Sequence, residues 1–119
     1  MKEQARVALV AEDEELLAEV VEWALEDAGY SVIRASDGEK ALASLEPSTR
    51  IDLLVTDIRM PGLYDGWTLA EKVRDRVPDV PVVYISGFYA VAPRKVPNSV
   101  FLPKPFRPDQ LIQAIATMR

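Results

Sequence analysis

The chain has 119 residues, 49% of them hydrophobic and 28% charged, a balance that suits one globular domain over residues 1–119. It contains no histidine and no cysteine, which excludes Ser-His-Asp and Cys-His catalysis, zinc ligation by imidazole or thiolate, disulfides and a phosphohistidine carrier role. A net charge of −5, no basic face, no apolar run near ~20 residues and no apolar stretch at the N-terminus lead us to expect a cytoplasmic protein with no membrane span and no direct nucleic-acid partner.

Arg6 to Ala11 is apolar enough for a buried strand and runs into four acids, Glu12 to Glu15. Leu16, Leu17, Val20, Val21, Ala24, Leu25 and Ala28 then recur at helical spacing, with Asp13 as the expected cap and Gly29 as the stop. Ser31 to Ala35 predicts a second strand. Ser36-Asp37-Gly38-Glu39 has capping-box spacing and opens a helix expected to reach Leu45. After a loop at Pro47 to Arg50, the run Ile51 to Asp57 predicts a third strand that ends in a carboxylate, and Met60-Pro61-Gly62 turns the chain away. Asp65-Gly66 opens a third helix with Leu69, Ala70, Val73 and Val77 inward, ended by Pro78. Pro81 to Ile85 predicts the fourth strand and Ser99 to Leu102 the fifth. Between them, Pro93 and Pro97 forbid a long regular helix over Gly87 to Asn98. The last helix has Pro108 in its first turn and Leu111, Ile112, Ile115 and Ala116 inward. Trp23 and Trp67 are read as core or partly exposed packing.

This alternation of strands and helices requires a parallel α/β sheet with right-handed crossovers. The strand ends then lie along one edge, where open α/β sheets house their chemistry. Glu12, Asp13, Asp57, Ser86 and Lys104 meet there. At ~4 Å and an effective dielectric near 20, each pair among the three carboxylates costs about 4 kcal/mol. A proton or a cation must relieve that repulsion. An oxygen-only donor set suits Mg²⁺ or a similar hard ion, with Mn²⁺ as the alternative. A carboxylate beside such an ion and a lysine is placed to attack a phosphoryl group, and Ser86 to donate to a phosphoryl oxygen.

With these motifs in order, an acidic pair Glu12-Asp13, Asp57 followed by Met60-Pro61, Ser86, and Lys104-Pro105-Phe106, the chain resembles a two-component response-regulator receiver domain over nearly its whole length. The resemblance implies a flavodoxin-like, doubly wound, five-stranded parallel sheet of order 2-1-3-4-5. It implies a phosphoacceptor at Asp57 that takes its phosphoryl group from a sensor histidine kinase, with Ser86 and Lys104 assisting. Asp13, Asp57 and the Arg59 backbone carbonyl would bind Mg²⁺, and Glu12 would act through a water. The Lys104-Pro105 bond would be cis, and Phe101 would hold an aromatic switch position, against the plainer reading of Phe101 as core. Downstream, the expected partner is a target protein or a phosphotransfer protein, and the expected state is a monomer.

The chain departs from the family pattern in three places. The loop Gly62-Leu63-Tyr64-Asp65-Gly66 is one residue longer than usual. Arg107 stands where a small capping residue is usual. The fourth helix, between the fourth and fifth strands, is expected to be short or absent, and Tyr84-Ile85-Ser86-Gly87-Phe88-Tyr89 partly matches a receiver subgroup with a Phe-Ala-Thr-Gly-hydrophobic-Tyr signature. There the expectation is a mobile loop that packs on phosphorylation. Two other functions compete. One is a docking module that does not use phosphorylation. The other is an aspartyl-phosphate phosphatase, which usually has a second acid two residues after its nucleophile, where this chain has Arg59.

Overall fold

The computed structural model describes residues 6–87 and 95–118. Five strands, β1 (Arg6–Ala11), β2 (Tyr30–Ala35), β3 (Leu53–Asp57), β4 (Val82–Ser86) and β5 (Ser99–Pro103), alternate with four helices, α1 (Glu15–Asp27), α2 (Gly38–Ala43), α3 (Gly66–Arg76) and α4 (Pro108–Ala116). Every strand pairing is parallel, and the order is β2-β1-β3-β4-β5, as expected for the flavodoxin-like class. The fourth of these helices, α4, is short, at nine residues. It follows β5. The expectation of a reduced helix and a switching loop between β4 and β5 falls on residues 88–94, which lie outside the described residues.

The pleat of each central strand divides its side chains between two layers. Leu9, Leu54, Val82 and Tyr84 face α2 and α3, where Ala41, Leu69, Ala70 and Val73 meet them. Ala8, Val10, Leu53, Val55, Val83 and Ile85 face α1 and α4, against Val21, Leu25 and Leu111. Both faces of β3 and β4 are therefore buried, which is why these strands read as unbroken apolar runs. Three of the strands whose ends carry the chemistry, β1, β3 and β4, are central, and the fourth, β5, is the edge strand beside β4.

Local details differ from expectation in four places. The N-cap of α1 is Glu14 rather than Asp13, and no side chain caps it. The buried stripe of α1 is Ala18, Val21 and Leu25. Leu16 lies two residues before Ala18, about 200° around the helix, and so faces solvent at 74% exposure instead of the core. In α2 the capping side chain is that of Asp37, which accepts from the Lys40 amide at 2.7 Å, so Ser36 is not the cap; the helix ends at Ala43, before Leu45. At the other end of the chain, Ala116 is exposed rather than inward. Other expectations hold. Gly29 has a φ of 102°, a left-handed conformation that stops α1, and the Asp65 carboxylate caps α3 by accepting from the Thr68 amide at 2.8 Å. At α4 the Arg107 amide donates to the Gln110 side-chain oxygen at 2.7 Å, and the Gln110 amide donates to the Arg107 carbonyl at 2.9 Å, where a small residue would have capped with its side chain.

The end of the β4–β5 connection is anchored. The buried Val96 amide donates to the Tyr84 hydroxyl at 3.1 Å. From α3, the Arg74 guanidinium donates to the carbonyls of Val80 at 2.8 Å, Asn98 at 3.2 Å and Pro97. Trp67 at the start of α3 is partly buried, with its ring 4.8 Å from that of Tyr84 and 5.6 Å, edge-on, from that of Phe101. Trp23 is 64% exposed, so it is not core.

Candidate functional site

The acidic site is built at the carboxyl edge of the sheet by four strand ends. Glu12 follows β1 and is held in line by its amide, which donates to the Ala35 carbonyl at 3.0 Å. Asp57 is the last residue of β3, and the next amide, that of Ile58, donates to the Ile85 carbonyl at 3.1 Å. Ser86 ends β4, and its carbonyl accepts from the Lys104 amide at 2.8 Å, which ties the end of β5 to the same edge. The Lys104-Pro105 peptide is cis, as the resemblance implied.

The side chains of Glu12, Asp13, Asp57 and Lys104 come together at this edge. Lys104 Nζ lies 3.0 Å from Asp57 Oδ2 and 3.5 Å from Glu12 Oε1. One carboxylate oxygen from each of Glu12, Asp13 and Asp57 falls within a 4.8 Å cluster. Glu12, Asp57 and Ser86 are buried, and Asp13 is exposed at the mouth. Glu12 Oε2 accepts from the Glu14 amide at 2.9 Å, whereas its buried Oε1 accepts no hydrogen bond. The Arg59 amide donates to Asp57 Oδ1 at 3.3 Å, which ties the start of the following loop to that carboxylate. Gly66 donates to the Ile58 carbonyl at 2.8 Å and closes the base of that loop.

Electrostatics follow from this crowding. Burial, and then the charges of Asp57 and Asp13, push the Glu12 carboxyl up from 4.5 to about 7, against the Glu14 amide and Lys104, which pull it down. Burial pulls the Lys104 ammonium down, but its hydrogen bond to Asp57 and the Glu12 and Asp57 charges outweigh that, and the net shift is upward. Two buried acids share one lysine, and Glu12 Oε1 faces that ammonium at 3.5 Å as an ion pair without a hydrogen bond. An all-oxygen cluster with a buried acceptor that lacks a hydrogen bond fits a hard divalent cation such as Mg²⁺. This acidic triad therefore resembles a Mg²⁺ site.

Phe101 is partly buried in β5, against Trp67 and Tyr84, on the α3 side of the sheet. Sequence reasoning missed two contributors. Glu39, read only as a cap residue, accepts from the Leu63 amide at 3.2 Å across 24 residues. Tyr84, expected in the fourth strand and at the first position of the partly matched signature, also holds the Val96 amide. The extra residue in the loop after Asp57 was the one signal that pointed toward the first.

The model of the response regulator receiver domain family matches residues 8–116. The chain is 36% identical to the response regulator receiver protein CpdR of Brucella abortus, over 92% of its own length and 93% of that protein's. It is 35% identical, over 92% of its length, to the sensor kinase CckA of the same organism, of which it spans 12%. It spans 46% of the transcriptional regulatory protein CssR of Bacillus subtilis, at 34% identity. Among solved structures, a response regulator receiver protein from Sinorhizobium medicae superposes with a TM-score of 0.89 at 42% identity, covering 96% of this chain and 94% of that one.

Proposed function

The chain belongs to the response regulator receiver domain family, phosphoacceptors rather than classical catalytic enzymes, and from that premise we propose that Asp57 is its phosphoacceptor and a sensor histidine kinase its donor. The observation that carries this is the pairing of Asp57 Oδ2 with Lys104 Nζ at 3.0 Å inside a buried acidic cluster. In the reaction, a carboxylate oxygen of Asp57 attacks the phosphorus held on the donor's imidazole nitrogen. The P–N bond breaks, its electron pair stays on that nitrogen, and a mixed acyl phosphate forms on Asp57. Lys104 needs to shift only from the carboxylate to an incoming phosphoryl oxygen to offset charge there. The Ser86 hydroxyl, at the end of β4, donates to a second phosphoryl oxygen. Asp13, Asp57 and the Arg59 carbonyl would hold Mg²⁺, or Mn²⁺ in its place, and Glu12 would act through a bound water. When bound, that ion would supply positive charge against the transferring oxygens and relieve the repulsion among the acids.

The phosphorylated form would reposition Ser86 and, through Tyr84 two residues before it, Phe101, which stands opposite Tyr84 in β5. That packing change would alter a docking surface for a downstream target or phosphotransfer protein, with the chain acting as a monomer in the cytoplasm. No helix among the described residues is long and apolar enough to cross a membrane. Incubation with acetyl phosphate and MgCl₂, read by intact mass, tests the reading. The wild type should gain one phosphate and Asp57→Asn none. A wild type that takes none would instead be a docking module independent of phosphorylation, and phosphate mapped to another residue would overturn the assignment of Asp57.

A further inference from the structure

The loop between β3 and α3 is fastened at two points. Its base is closed by the Gly66 amide on the Ile58 carbonyl, and its tip by the Leu63 amide on Glu39 Oε1. The tip lies hard against α2: a Cβ on Gly62 would stand 2.6 Å from Glu39 Oε1, and a Cβ on Gly38 would stand 2.8 Å from the Tyr64 Cβ. Gly62 itself has a φ of 94°, so the chain turns there in a conformation that other residues rarely adopt. Only Met60, Pro61 and Gly62 separate Arg59 from the tethered Leu63, and Pro61 removes one of the remaining freedoms.

We propose that Glu39 is a positioning residue for the metal site: by holding the Leu63 amide it fixes the lengthened loop and with it the Arg59 carbonyl. This rests on the proposed reading of Glu12, Asp13 and Asp57 as a Mg²⁺ site with the Arg59 carbonyl among its ligands. The extra residue would otherwise give the loop slack and let the carbonyl swing out of line. Glu39 does not touch the ion; its effect passes through three loop residues.

The test is a calorimetric titration of MgCl₂ into the full chain, with thermal melting measured alongside. Glu39→Ala should weaken Mg²⁺ binding by about five- to tenfold, at or just under the range for groups that bond a metal ligand directly, because its effect passes through the loop. Glu39→Gln keeps an oxygen for the Leu63 amide and should bind within about twofold of wild type, since that hydrogen bond remains. Gly62→Ala, which displaces the Glu39 carboxylate, should behave like Glu39→Ala and serves if that variant does not fold. Unchanged affinity in both Glu39→Ala and Gly62→Ala overturns the proposal. So does equal weakening in Glu39→Gln, because charge at a distance would then explain the loss. Asp13→Asn is the control for the underlying reading: if it binds Mg²⁺ as wild type does, the site assignment fails, whatever Glu39 does.

Discussion

Gly66 lies so close to the main-chain carbonyl of Asp57 that a Cβ built on it would stand 2.2 Å from that oxygen. The first turn of α3 is thereby seated directly on the proposed phosphoacceptor. The neighbour is backbone rather than a flexible side chain, so an added methyl must move either the helix or the strand end. Gly66→Ala should cost about 1–3 kcal/mol in urea unfolding, as overpacking does. It should also slow phosphorylation by acetyl phosphate, because the displaced group is the peptide of Asp57 itself. Wild-type stability and rate together would show that α3 is seated more loosely than this contact requires.

The pH dependence of metal-free stability should carry the sign of Glu12. Its folded value, about 7, lies above the ordinary 4.5, so the folded state binds its proton more tightly than the unfolded chain does. That contribution is fully present below pH 4.5 and is lost as pH rises through 7. The shift corresponds to about 3 kcal/mol at most. In EDTA, the unfolding free energy should therefore fall between pH 5 and pH 8, and Glu12→Gln should flatten the fall. A slope of opposite sign in the wild type, or one untouched by Glu12→Gln, would count against the crowding of these acids.

Mg²⁺ should stabilise the fold, because it replaces repulsion among Glu12, Asp13 and Asp57 with attraction. At ten times its dissociation constant the gain is about 1.4 kcal/mol. Asp13→Asn should remove most of it. Identical Mg²⁺-dependent melting shifts in the two proteins would rule out Asp13 as a ligand.

Lys104→Ala should separate metal binding from phosphoryl transfer. The ammonium lies against Asp57 and Glu12, where it competes with a cation, so its loss should leave Mg²⁺ binding no weaker. Phosphorylation should slow about a hundredfold, the usual loss when one preorganised donor to the reacting oxygens is removed. A Lys104→Ala protein phosphorylated at the wild-type rate would assign the lysine to structure alone.

Tyr84→Phe should release the far end of the β4–β5 connection. It leaves the buried Val96 amide without an acceptor, at a cost of about 1–3 kcal/mol. Amide exchange at Val96 should speed accordingly, while Ile85, in the middle of the sheet, stays protected. Unchanged exchange at Val96 would mean that Arg74, through Pro97 and Asn98, holds the segment by itself.

The order of strands and helices was legible in the sequence because it rests on local signals. Unbroken apolar runs mark strands buried on both faces, and Gly29, Asp65 and Pro78 punctuate the helices between them. The placement of the candidate site residues followed from the same signals, since Glu12, Asp13, Asp57, Ser86 and Lys104 all stand at or just past strand ends and a parallel sheet gathers its ends on one edge. Composition narrowed the chemistry further: without histidine or cysteine, carboxylates, hydroxyls, lysines and arginines remained. The tertiary structure decided what depends on how helices seat on that sheet. The phase of α1 turned Leu16 outward, and its cap fell on Glu14 rather than Asp13, with the Glu14 amide donating to Glu12. The reach of Lys104 to Asp57 spans 47 residues, and that of the Leu63 amide to Glu39 spans 24. No periodicity encodes such distances, because each is set by the packing of two separate elements against a third.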